Sequence, residues 1–351
     1  MITLANRLQN TQEYYFSVKL REVAQMIANG KKVINLGIGS PDLSPHESVV
    51  AAVKQAMHDP KAHQYQSYQG LLELRQAMAH FYSTKYNVAL DPKSEVLPLM
   101  GSKEGIMHIA MAFLNPGDKV LVPNPGYPTY NSVLKLVGAQ AVYYNLDENN
   151  NWEPNFDDFE SSDLSQVKLM FINYPNMPTG ATGSKQLFDK MIAFAKAHRI
   201  LLVNDNPYSF ILNDHPISVL DCEGAKDVAI ELNSLSKTFN MSGWRVGMVL
   251  GAKYYIDAIL KVKSNMDSGM FYGIQKGAIK ALNLPEVWFN EQNKIYALRK
   301  NKVIKLAQLL NCKVDKNSSG MFVWAKLSEK SKSAEAIIDE QLQNNHIFIT
   351  P

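Results

Sequence analysis

The sequence predicts an α/β fold, a mainly parallel mixed sheet covered by helices, with a smaller α+β portion after it. Three observations lead there. From about residue 95, short apolar runs recur at 96–100, 119–123, 141–146, 169–173, 200–205 and 228–232. Amphipathic helical patterns over 103–114, 128–137 and 185–198 lie between several of them. Strand–helix alternation of this kind builds parallel sheets with both faces covered. After Gly251 the alternation stops and long helical patterns take over.

In chain order, the first thirty residues read as an exposed arm leading into a helix, with Leu20, Val23, Ala24 and Ile27 at helical spacing. Residues 33–36 read as a short strand. It breaks into Gly37-Ile38-Gly39-Ser40-Pro41-Asp42, a loop whose glycines let backbone approach a ligand closely. Helices are expected over 45–58 and 71–86, separated by an aromatic loop at 63–70 that contains Tyr65 and Tyr68. Beyond Gly251 come helical patterns over 252–265 and about 275–310, a strand over 320–325, a helix over about 333–345 and a last strand at 347–349. The expected domains are 1–35 as an arm and part of a small domain, 36–255 as a large domain, and 256–351 as the small C-terminal domain.

Composition removes several classes of function. With 46% hydrophobic and 20% charged residues the chain is an ordinary globular one. A net charge of +3 from 36 basic and 33 acidic side chains is too weak to argue for nucleic acid or an anionic membrane. Cys222 and Cys312 form neither a disulfide framework nor a metal-binding pair, so no metal is expected and a reducing compartment is the default. The N-terminus lacks a basic-then-apolar leader, and no apolar run approaches membrane-spanning length. The expectation is a cytoplasmic protein.

Ligands of parallel sheets gather at the C-terminal strand ends, and four of these ends carry chemistry. Gly101-Ser102-Lys103 opens a helix, where free backbone N–H groups suit an anion; the spacing is not that of a nucleotide-binding P-loop. Tyr127, set between Pro125 and Pro128, can offer a flat face to a heteroaromatic ring. Asp205 ends an apolar run, and a carboxylate buried there needs a cationic partner; Tyr208 follows three residues later. Ser234-Leu235-Ser236-Lys237 follows the last run, with Arg245 eight residues beyond the lysine. Each group has a plain structural use: turn glycine, core tyrosine, helix-capping aspartate, surface lysine loop. Together they supply an anion cradle, a stacking ring, a carboxylate, a phenol, a lysine and an arginine. That is the set required to hold pyridoxal 5'-phosphate as a Schiff base.

At this point the chain resembles the class I/II aminotransferases, the fold-type I pyridoxal-phosphate enzymes, from about Asn35 to Pro351. By that resemblance Lys237 is the Schiff-base lysine, with Ser234, Ser236 and Arg245 on the phosphate. Asp205 and Tyr208 bind the pyridine nitrogen and 3'-oxygen, Gly101, Ser102 and Lys103 form the phosphate cradle, and Tyr127 stacks on the ring. Tyr65 reaches the phosphate of the neighbouring subunit in a homodimer, and Gly39 lies in the loop that contacts the substrate carboxylate. The implied reaction moves an amino group between an L-amino acid and a 2-oxo acid, with Lys237 shuttling the proton. Carbon–sulfur lyases and related eliminases share the fold and the first step, and an impaired pyridoxal-phosphate-fold protein is a further alternative.

Two positions depart from the family pattern. Met177 stands where the family has an asparagine that donates to the 3'-oxygen, so Tyr208 is expected to make that contact alone or with help from Asn176. No arginine follows Ile349-Thr350-Pro351, where the family strand carries one for the substrate carboxylate; the expectation is a truncated chain, and no such arginine is assigned. Aromatic, aspartate-like and diaminopimelate-like substrates stay open, with aromatic or neutral ones preferred.

Overall fold

The structure, a computed structural model, describes residues 2–8, 11, 13–328 and 332–350. Pro351, the last residue of the family resemblance, lies outside the described residues. The chain begins with α1 (Tyr15–Ala28), β1 (Ile34–Asn35), α2 (Glu47–Ala56) and α3 (Leu72–Tyr86). It continues with β2 (Val96–Leu99), α4 (Ser102–Phe113), β3 (Lys119–Asn124), α5 (Thr129–Val137) and β4 (Gln140–Asp147). Next come β5 (Glu153–Pro154), α6 (Phe156–Glu160), β6 (Val167–Ile172), α7 (Lys185–His198) and β7 (Leu201–Asp205). Then follow β8 (Ala229–Ser234), α8 (Leu235–Thr238), β9 (Gly247–Gly251), α9 (Lys253–Lys263), α10 (Tyr272–Leu282) and α11 (Glu286–Leu309). The last elements are β10 (Cys312–Val314), β11 (Ala325–Leu327), α12 (Ala334–Asn345) and β12 (Ile347–Phe348).

Eight strands form one mixed sheet in the order β2-β9-β8-β7-β6-β3-β4-β5. The run β8, β7, β6, β3, β4 is parallel throughout, whereas β9 is antiparallel to both β8 and β2. Two reversals restore direction, so β2 points the same way as β8. The C-terminal ends of β2, β8, β7, β6 and β3 therefore share one edge of the sheet.

Alternating side chains along each strand feed two apolar cores. On one face Leu97, Leu99, Val120, Val122, Leu169 and Phe171 pack against Ile106 and Ile109 of α4, Leu134 of α5 and Ile259 of α9. On the other face Leu121, Met170, Ile172 and Leu202 meet Met78 and Phe81 of α3 and Leu187 and Met191 of α7. Burial on both faces is why these strands read as continuous apolar runs.

Five points differ from the sequence reading. The antiparallel β9 went unread because its Gly-rich GMVLG run follows a loop rather than a helix. The long pattern at 275–310 is two helices, broken at Asn283-Leu284-Pro285; proline has no N–H to donate and disfavours helix in the residue before it. The strand expected at 320–325 forms only from Ala325, because Gly320 has φ +81° and the aromatic run turns inward. There Phe322 packs on Tyr208 and Trp324 on Trp152. The arm is not wholly exposed, for Tyr14 is half-buried against the sheet edge. The strand expected at 33–36 forms, but pairs in parallel with β12 in a separate two-stranded sheet.

Candidate active site

Three strand ends meet side by side at the functional edge. Gly247 pairs with Leu99 on one side and with Ser234 on the other, so the 101–103 turn, Arg245 and the Ser234–Lys237 loop converge. The contact needs glycine: a Cβ on Gly101, which has φ +92°, would stand 2.0 Å from Nη2 of Arg245, and one on Gly247 would stand 2.7 Å from the Ser102 N. The Ser234 hydroxyl accepts from the Ser236 N at 3.1 Å, which caps α8, and donates to the Ser236 Oγ at 2.8 Å. Arg245 Nη1 donates to the Ser236 Oγ at 3.3 Å and to the Ser242 carbonyl at 2.8 Å. Two hydroxyls, a guanidinium and the N-terminus of the twelve-residue α4 thus come together at one point of the sheet edge, donors of the kind an anion needs.

Lys237 is half-buried and its Nζ donates to the Gly39 carbonyl at 2.6 Å. Burial, and then the charge of Arg245, lower its pKa to about 8. Gly39 is itself enclosed, since a Cβ there would lie 2.5 Å from the Phe322 ring.

Asp205 is 4% exposed at the end of β7. Its Oδ2 accepts from the Tyr130 hydroxyl at 3.1 Å, and its Oδ1 has no partner among the described residues. Burial pushes its pKa up to about 7, against the Tyr130 hydrogen bond, which lowers it. Tyr208 is buried beside it, its ring edge-on to Phe322 at 5.8 Å; burial, and then the Asp205 charge, raise its phenol far above the ordinary value. Tyr127 meets Tyr130 edge-on at 5.6 Å, and burial takes its phenol to about 12.

Not every expected residue joins this group. Tyr65 is 91% exposed on the loop before α3, away from this group. Asn176 is buried, but its side-chain oxygen is committed to the turn, accepting from Thr179 N and Oγ1; its Nδ2 has no partner among the described residues. Lys103 turns away from the cradle, its Nζ lying 4.3 Å over the Tyr14 ring. Met177 packs in the apolar cluster around Tyr208, Ile211, Tyr296 and Phe322, and its backbone N donates to Asn173.

Sequence reasoning missed Tyr130, Tyr14 and Phe322. Tyr130 had a signal, lying one helical turn after Tyr127. The other two had none, since contact across the chain brings them in. Tyr14 lies beside Thr129 and Tyr127, with burial raising its phenol above the ordinary value. The segment around it and Pro123–Pro128 line a cleft of about 640 Å³.

These residues fit pyridoxal phosphate. The unpartnered oxygen of a buried carboxylate suits a cationic ring N–H, the cradle an ester phosphate, and the lysine of lowered pKa an aldehyde.

Residues 31–351 match the family model for aminotransferase class I and II. The LL-diaminopimelate aminotransferase of Dehalococcoides mccartyi strain CBDB1 is 40% identical over 350 residues, covering 99% of this chain and 90% of the relative. That of Nitratidesulfovibrio vulgaris is 38% identical over 351 residues with the same coverage. The solved structure of substrate-bound BacF from Bacillus subtilis superposes with a TM-score of 0.96 at 34% identity, over 100% of this chain and 90% of that one. The chain belongs to the class I and II aminotransferases.

Proposed function

We propose that this aminotransferase holds pyridoxal 5'-phosphate on Lys237 and moves an amino group between LL-diaminopimelate, or an amino acid of similar form, and a 2-oxo acid. The observation that carries the cofactor reading is the buried Asp205 oxygen without a partner, on the same strand-end edge as the low-pKa lysine. Arg245, Ser234, Ser236 and the backbone of Gly101 and Ser102 would hold the phosphate. Tyr127 would lie on the ring, Tyr208 and Asn176 would serve its 3'-oxygen, and Asp205 its nitrogen. Lys103 would contribute through its backbone. When bound, the cofactor supplies an electron sink for the pair left when the substrate Cα–H is removed. Lys237 is placed to take that proton, because an amine with a pKa of about 8 is partly neutral at pH 7. The Gly39 carbonyl, 2.6 Å away, fixes where the amine points.

The substrate class rests on the relatives, which are named LL-diaminopimelate aminotransferases at about 40% identity. That replaces the aromatic or neutral preference drawn from sequence. A homodimer, in which Tyr65 serves the partner's phosphate site, is proposed from the exposure of that ring. The division into domains at 1–35, 36–255 and 256–351 is likewise proposed: the eight-stranded sheet falls in the middle part, and the β1–β12 and β10–β11 pairs lie outside it.

Lys237→Ala tests the cofactor reading. The variant is expected to lose the visible absorbance of bound pyridoxal phosphate and nearly all turnover; full activity in it would sink the assignment. A panel of amino acids with 2-oxoglutarate, followed by glutamate formation, tests the substrate. Faster turnover of an aromatic amino acid than of LL-diaminopimelate would reject the substrate class.

A further inference from the structure

Behind the strand ends lies a second buried carboxylate. Glu231, in the middle of β8, is fully buried, and every group around it donates. One oxygen receives the Tyr82 hydroxyl at 2.7 Å and Asn206 Nδ2 at 3.3 Å. The other receives Asn204 Nδ2 at 2.9 Å and the Val219 N at 3.0 Å. Tyr82 also accepts from Asn233 Nδ2 at 3.0 Å, so its own proton is free to point at Glu231. A protonated acid would set an O–H against one of these donors, so the shell requires an ionised, acceptor-only carboxylate. Burial pushes its pKa up, and the hydrogen bonds from Tyr82, Asn204 and Val219 pull it back. The titratable groups that sense it are Tyr82 and Tyr86 on α3 and Asp205 on β7. Among the described residues Glu231 forms no salt bridge.

The strand register gives this shell a purpose. Asn204 pairs with Glu231 and Asp205 with Leu232, so Asn204 and Asn206 share the Glu231 face while Asp205 points the other way. Glu231 thus grips the residues on both sides of Asp205. Through Tyr82 it reaches Asn233, whose Oδ1 accepts from the Ser234 N at 2.7 Å at the start of the Lys237 loop.

We propose that Glu231 is a positioning residue for the cofactor site: an ionised carboxylate that clamps both neighbours of Asp205 and sets a fixed negative charge behind it. The inference rests on the cofactor reading above. It is tested on the full chain with pyridoxal 5'-phosphate, by equilibrium dialysis and by pH titration of the bound cofactor's visible absorbance. Glu231→Gln keeps the shape, removes the charge and turns an N–H₂ toward a donor. It should weaken cofactor binding about tenfold or more, the scale of a charged buried hydrogen bond, and lower the pH midpoint, because the negative charge that stabilised the protonated form is gone. Asn206→Ala keeps the charge and breaks one side of the clamp. It should weaken binding about threefold and leave the midpoint in place. If Glu231→Gln folds and only its melting temperature falls, with affinity and midpoint at wild-type values, the role is merely structural and the proposal is overturned. If that variant does not fold, wild-type affinity in Asn206→Ala overturns it alone. A wild-type chain that takes up no pyridoxal phosphate overturns the cofactor reading and this inference with it; uptake with unaffected variants overturns this inference only.

Discussion

Two residues set the properties of the site without being among its obvious members. Tyr130 is fully buried, stacked on Phe171 at 4.6 Å with the rings 6° apart, and its hydroxyl is the one donor to the Asp205 carboxylate among the described residues. Tyr130→Phe keeps the stack and deletes the donor, so the pKa of Asp205 should climb further from about 7. The ionised form then becomes scarcer at neutral pH. The expected result is a several-fold weaker uptake of pyridoxal phosphate by the cofactor-free chain at pH 7, with the acid limb of the binding–pH profile moved to higher pH; an unmoved limb rejects the role. Met177 is the second. It lies in the apolar cluster around Tyr208, where it offers no donor. Met177→Asn should lower the pH midpoint of the bound cofactor's absorbance, because a further donor stabilises the 3'-oxygen anion and loosens its hold on the shared proton. Replacing an apolar side chain in that cluster should cost about 1 kcal/mol of stability, read by denaturant titration.

Between elements, the packing of α4 on α9 is ionic at one point. Glu104 and His108 lie one turn apart on α4, and Asp267 follows α9, so three metal-type donors come within 4.8 Å of one another. Lys263 already supplies the cation: fully buried, its Nζ lies 2.8 Å from both oxygens of Asp267. Glu104 in turn accepts from the Met100 N at 2.6 Å, just before the cradle glycine Gly101. Breaking a buried pair leaves its partner charged in a dry place. Lys263→Met should therefore destabilise the protein by about 3 kcal/mol, and the double variant with Asp267→Asn should recover a part of that. Urea unfolding of the four proteins in that cycle measures it, and additive costs would show the two side chains to be uncoupled.

At the scale of the molecule, what was legible in the sequence is what obeys local rules. The parallel strands showed because burial on both faces makes them apolar throughout, and helices such as Lys185–His198 showed by their period. Lys237, Asp205, Tyr208 and the Gly101 turn showed because each ends or follows an apolar run. What stayed hidden depends on the chain meeting itself: the antiparallel β9, the inward aromatic loop that brings Phe322 to Tyr208, and Tyr14 across the cleft. The site also conflicts with stability, and that conflict is measurable. The pKa of Asp205 in the folded chain is about 7, raised above the ordinary 3.8 expected on unfolding. The folded state therefore binds more protons than the unfolded one between those values, and stability falls as pH rises through that window. Lys237 runs the other way, held at about 8 below the ordinary 10.5, so its contribution recovers as pH rises from 8 to 10.5. The cofactor-free protein should be least stable near pH 7–8, where both groups are held against their preferred charge. Asp205→Asn removes the acid side of this minimum. Without cofactor the variant should match wild type near pH 4 and exceed it by up to about 4 kcal/mol above pH 7, as denaturant midpoints across the pH range would show. A pH-independent difference between the two would mean that the carboxylate is not strained by its burial.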